Sequence, residues 1–167
     1  MCEAGFALRQ ASRIYRTAPE GGSRHDPDYA NAVILVHAPG PAATCLLLAK
    51  AIEEMFGRDP TTPRMAARPL DIDIIAAGNL IWPDATSWHL AAADEKASQS
   101  LVLPHPRLHR RVFVLIPLKE IAPHWRHPVT GETVDAMLHE ARALAPAMPR
   151  PWPRKADLLR HLLDPHP

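Results

Sequence analysis

The sequence predicts an α+β fold in which helices pack on one sheet, and three observations carry that prediction. Segments of period two and segments of helical period both occur, without the strict alternation of a parallel α/β chain. The 167 residues are 22% charged and 47% apolar, which suits a globular domain able to bury a core. Nineteen prolines, about double the usual share, exclude a long helical bundle.

The elements follow in order. Phe6 to Tyr15 places Phe6, Leu8 and Ile14 on one parity and Arg9 and Arg13 on the other, a strand with one wet face. Ala18 to Asp28 mixes Pro, Gly, Ser and Asp and reads as a loop. Asn31 to His37 is a short β-branched strand. Pro39-Gly40-Pro41 opens a helix on which Cys45, Leu48, Ala49, Ile52, Met55 and Phe56 keep helical spacing, with Gly57 placed to end it at C′. Arg58 to Pro69 is irregular. Asp71 to Ala77 is a strand closed by Gly78-Asn79, and Trp82 to Ser100 is a polar surface loop. Val112 to Leu118 has strand propensity but flanks that allow a helix. Val134, Met137, Leu138, Ala141, Leu144 and Ala145 mark an amphipathic helix. No repeat or linker divides the chain, so residues 1–145 read as one domain. Residues 146–167 form a proline-rich tail whose apolar patch at Leu158 to Leu163 makes a short terminal helix.

Composition narrows the function. A net charge of +1 supplies no whole-molecule field for nucleic acid or an anionic membrane. Cys2 and Cys45 form no CxxC or Cys/His cluster, which argues against a disulfide framework or structural zinc and for a reducing compartment. The apolar runs are too short to span a bilayer and no signal peptide is read. A cytoplasmic location is expected.

The chemistry concentrates between Arg58 and Asp73. Asp71 and Asp73 are two apart on an expected strand, so their carboxylates share a face with Cα atoms roughly 6–7 Å apart. Like charges so close favour a cation between them, and hard oxygen ligands suit Mg²⁺. An Asp-x-Asp alone more often means two acids facing solvent at a sheet edge. Arg58, Arg64 and Arg68 precede the strand and Arg111 follows Pro104-His105-Pro106. Guanidinium groups beside carboxylate-held Mg²⁺ are what a polyphosphate requires, which points to nucleotide-dependent phosphoryl transfer. No P-loop or kinase glycine-rich loop is present. His105 is held between two prolines. Tyr29 and Asn31, at a strand start, can stack on and hydrogen-bond a flat heterocycle, but are equally ordinary strand-edge residues.

These residues resemble a known signature. Arg64-Met65-Ala66-Ala67-Arg68-Pro69-Leu70-Asp71-Ile72-Asp73-Ile74-Ile75 is similar to that of the 6-hydroxymethyl-dihydropterin pyrophosphokinases of folate biosynthesis. The resemblance extends, in family order, through Ser12 to Thr17 with Pro19, Asp26 to Asn31, Ile52-Glu53 with Gly57-Arg58, Leu103 to Pro106, and Arg111 to Leu118 ending at Pro123. It implies a ferredoxin-like sandwich with helices on a mainly antiparallel sheet, and a helical Val112 to Leu118. It implies Mg²⁺-dependent transfer of diphosphate from ATP to the pterin hydroxymethyl oxygen, releasing AMP. Residue by residue, Asp71 and Asp73 would hold two Mg²⁺ ions, and Arg58 and Arg68 would be catalytic phosphate ligands. Glu53, Arg68, Ile74, His105 and Arg111 would bind ATP. Thr17, Tyr29, Asn31 and Phe113 would line the pterin pocket.

Departures from the family pattern carry their own expectations. The family's opening strand and helix, about 25–30 residues by typical element lengths, have no counterpart here, which should leave sheet backbone unpaired. Met65 stands where a tryptophan is common, Pro60 at a commonly basic position and Pro106 where some members carry an aromatic. The rival expectation is a non-catalytic remnant that binds nucleotide or a folate-pathway partner. A nuclease using the same acids is disfavoured because no basic groove accompanies them.

Overall fold

The computed structural model describes residues 6–18, 28–38, 40–58, 69–94, 101–145 and 147–152. The chain divides into two compact units, each built from separated stretches. Residues 1–7 and 37–106 form the first and residues 8–36 and 107–167 the second. Helices and antiparallel strand pairs occur together, an α+β architecture.

In the first unit, α1 (Ala42–Met55) buries Cys45, Ala49 and Glu53, a stripe at i, i+4 and i+8. Met55 and Phe56, expected on the apolar face, are instead exposed at the helix end. Gly57 ends the helix as expected, at φ +92°. The Gly57 amide donates to Glu54 O and the Arg58 amide to Glu53 O, each at 3.0 Å, the paired bonds of a Schellman cap.

Two expectations in this unit are corrected. Residues 71–77 form no strand and join no sheet among the described residues. Their backbone bonds go elsewhere: the Ile72 amide to the Glu53 carboxylate, and Ile75 O to the His105 amide at 2.7 Å. The expected loop after Trp82 contains α2 (Ala85–Ala93). Asp84 caps it by accepting from the Ser87 amide at 2.8 Å, and that bond holds the Asp84 carboxyl below its usual range. Trp88 drives the segment inward: it is 3% exposed and its indole donates to Pro104 O at 2.9 Å. Trp82 and Leu103 exchange amide bonds at 2.9 Å, fixing the segment that ends at His105.

The second unit holds a two-stranded sheet of β1 (Ala7–Ala11) and β4 (Ile34–His37), apart from their outermost residues Ala7 and His37. A three-stranded sheet has the order β3 (Tyr29–Asn31), β2 (Tyr15–Thr17), β5 (Arg150–Pro151). The single strand expected over Phe6 to Tyr15 is thus two. Ser12 breaks it by bonding Val33 through both its amide and its hydroxyl, and the Arg13 amide turns to Glu120 Oε2 at 2.8 Å. The expected Asn31 to His37 strand divides at the same Val33. β1 is exposed along its whole length rather than on one face.

Val112 to Leu118 is helical, within α3 (Val112–Ile121), whose Val112, Val114, Leu115 and Leu118 are buried. Burial of an almost wholly apolar segment overrides its strand propensity. It packs against α4 (Val134–Leu144), which Thr133 caps by accepting from the Ala136 amide at 3.1 Å. The expected terminal helix lies outside the described residues.

Candidate active site

In the first unit, Glu53 organises the acidic segment. The buried stripe of α1 carries its carboxylate inward, where an unpartnered charge would cost several kcal/mol. The Schellman cap turns Arg58 back over it, and Arg58 Nη1 bonds Glu53 Oε2. Glu53 Oε1 accepts the Ile72 amide at 2.6 Å. One carboxylate therefore ties the helix end to the residue between the two aspartates.

Ile72, Ile74 and Ile75 are partly buried while Asp71 and Asp73 are exposed, so the expected alternation survives without a ladder. Arg58 Nη1 stands 4.0 Å from Asp71 Oδ1, and His105 Nε2 stands 4.0 Å from Asp73 Oδ2. The unit thereby gathers Glu53, Arg58, Asp71, Asp73, Ile74 and His105. Arg64, Met65, Arg68 and Pro60 lie outside the described residues. Among the described residues no group of three His, Cys, Asp or Glu side chains could hold a metal ion.

In the second unit, the β2–β3 register opposes Thr17 to Tyr29 and Tyr15 to Asn31. These four residues consequently share one sheet face, with Tyr29 half exposed. Asn31 Nδ2 donates to Thr17 Oγ1 at 2.7 Å. Arg111 lies with its guanidinium carbon 5.5 Å from the centroid of the Phe113 ring, a cation–π contact at the start of α3.

A support cluster escaped the sequence reading. Tyr15 is buried and its hydroxyl donates to Glu120 Oε1 at 2.5 Å, while Arg13 Nε donates to the same oxygen at 2.7 Å. Burial raises the Tyr15 pKa, helped by the hydrogen bond to Glu120. Burial also opposes ionisation of Glu120, but the bonds from Tyr15 and Arg13 prevail and hold its carboxyl below the usual range. The partners are 105 residues apart, and no short-range signal joins them.

The chain is thus a mixed α+β protein in which one unit places an arginine and a histidine beside paired aspartates, and the other presents a tyrosine and an amide on a strand face. It matches the 7,8-dihydro-6-hydroxymethylpterin-pyrophosphokinase (HPPK) family over residues 2–123 and belongs to that family. It is similar to the 2-amino-4-hydroxy-6-hydroxymethyldihydropteridine pyrophosphokinase of Synechocystis sp., at 31% identity over 85% of this chain and 64% of the relative. The enzyme of the same name from Porphyromonas gingivalis is 33% identical over 72% of this chain and 74% of the relative. That from Mycobacterium tuberculosis is 35% identical over 76% and 64%. The chain therefore spans a little under two thirds of the length of the Synechocystis and Mycobacterium relatives.

Proposed function

We propose that the protein transfers diphosphate from ATP to 6-hydroxymethyl-dihydropterin, releasing AMP, in folate biosynthesis. The observation that carries the reading is Glu53 joining Arg58 to the Asp71–Asp73 segment inside a chain of this family. In the step, the hydroxymethyl oxygen bonds to the β-phosphorus and loses its proton. The bond from that phosphorus to the oxygen on the α-phosphate breaks, and AMP leaves with the bonding pair.

Asp71 and Asp73 fit Mg²⁺, two ions being expected, because exposed paired carboxylates suit a cation that draws its remaining ligands from water and phosphate. Bound there, Mg²⁺ neutralises phosphate charge. Arg58, with Arg68, is placed in the reading as the phosphate ligand that offsets charge developing on the transferred group. Glu53 acts through Arg58 and Ile72 as a positioning residue. His105, Ile74 and Arg111 serve ATP; Thr17, Tyr29, Asn31 and Phe113 serve the pterin. A ferredoxin-like sandwich is the arrangement we propose, on the strength of the family. Among the described residues no helix is long and apolar enough to cross a membrane. We place the protein in the cytoplasm, with small molecules rather than nucleic acid as ligands.

A second reading is a remnant that binds nucleotide without turnover. Among the described residues no ladder runs along 71–77, which favours it: the segment is held there by bonds to Glu53 and His105. AMP release separates the two. The first reading predicts AMP only when ATP, Mg²⁺ and pterin are all present, and its loss in Asp73→Ala. The second predicts ATP-analogue binding with no AMP.

A further inference from the structure

In the first unit, the three residues that end at His105 are each held by a different partner. Leu103 exchanges amide bonds with Trp82 at 2.9 Å. Pro104 O accepts the buried Trp88 indole at 2.9 Å, and the His105 amide donates to Ile75 O at 2.7 Å. Pro104 O and the His105 N–H are the two ends of one planar peptide unit. Trp88 and Ile75 therefore grip that plane from opposite ends, and the plane leads directly into the His105 Cα.

Two of these anchors are backbone bonds that almost any sequence can make, whereas the third depends on one side chain. Proline has no N–H, so the carbonyl is the only backbone polar group of Pro104, and removing the indole takes a partner from it inside the core. The plane then gains by turning toward another donor, and His105 turns with it. The effect falls on the acidic segment: His105 Nε2 stands 4.0 Å from Asp73 Oδ2, and Ile75, the opposing grip, is two residues from Asp73. Trp88 reaches Pro104 from α2, whose start Asp84 caps. The segments that carry the family resemblance stop at Ile75 and resume at Leu103, so α2 is not among them.

We propose that Trp88 is a positioning residue for nucleotide binding. It holds the Pro104–His105 peptide plane against Ile75 and thereby sets the His105 ring beside Asp73. The inference rests on the reading that His105 serves ATP. It makes α2 a working part of the site although none of its residues need touch the nucleotide.

The test is calorimetric titration of the full chain with α,β-methylene-ATP and Mg²⁺. Trp88→Phe keeps an aromatic ring but lacks the donor, and should bind the analogue roughly three- to tenfold more weakly, the worth of one hydrogen bond. His105→Ala should weaken binding at least as much. The double variant should bind like His105→Ala alone, because Trp88 acts through His105, whereas a merely structural Trp88 would give effects that multiply. Should Trp88→Phe fail to fold, hydrogen exchange of the Trp88 indole in the parent decides. By reciprocal linkage, saturation with the analogue should slow that exchange roughly threefold or more. Parent-like affinity in Trp88→Phe, multiplying effects, unchanged indole exchange, or no analogue binding by the parent would overturn the proposal. AMP release by the parent is scored separately: coupling of Trp88 to His105 without AMP would support the positioning role and overturn only the proposed function.

Discussion

A single buried carboxylate decides the local geometry of the candidate site. Glu53 is 2% exposed, and its two oxygens hold Arg58 and the Ile72 amide. Removing one partner of such a pair leaves the other desolvated, so Glu53→Ala should lower stability by about 3 kcal/mol or more, measured by urea unfolding. The same variant should raise KM for ATP, because Arg58 loses its anchor. His127 sets a different residue-scale effect. It is fully buried, and its Nδ1 accepts from the Val129 and Thr130 amides at 3.3 Å each, an arrangement that favours the neutral ring. Burial, followed by repulsion from His109 and only partly offset by Glu132, pushes its pKa from 6.5 down to about 4. The unfolded chain takes a proton that the folded chain refuses. Stability is therefore complete above pH 6.5 and falls as the pH drops toward about 4, by at most about 3 kcal/mol. His127→Gln should flatten that part of the stability profile in urea unfolding series.

The elements show which sequence signals suffice. Gly57 was legible as a helix terminator because a left-handed C′ residue has a strong sequence preference, and its φ of +92° accords with this. Gly57→Ala should cost about 1 kcal/mol or more and displace Arg58, which thermal melts and the ATP dependence of turnover would register. The helix after Trp82 escaped notice although Asp84 and Ser87 spell its cap, because the segment has no strong apolar period and only Trp88 and Ala91 are buried. Residues 71–77 alternate as a strand should, yet among the described residues they join no sheet, because a strand also needs a partner that alternation cannot supply. The breaks at Ser12 and Val33 come from one side chain meeting another segment 21 residues away, a contact no local window contains. The Asp-x-Asp and the arginine leading to it stood out by spacing and lie near each other in the fold, whereas the bonds of Glu53 to Arg58 and to the Ile72 amide emerge only from three-dimensional packing.

At the scale of the whole molecule, the central claim is the proposed transfer of an intact diphosphate group, which family membership and the clustered acids and arginine support. The most direct measurement follows ATP labelled in its β- and γ-phosphates through turnover with Mg²⁺ and 6-hydroxymethyl-dihydropterin, with every phosphorus species identified by NMR. The account predicts AMP and pterin diphosphate in equal amounts, both labels staying together on the pterin. Formation of ADP, release of free diphosphate without pterin product, or no AMP at all from soluble folded protein would contradict it.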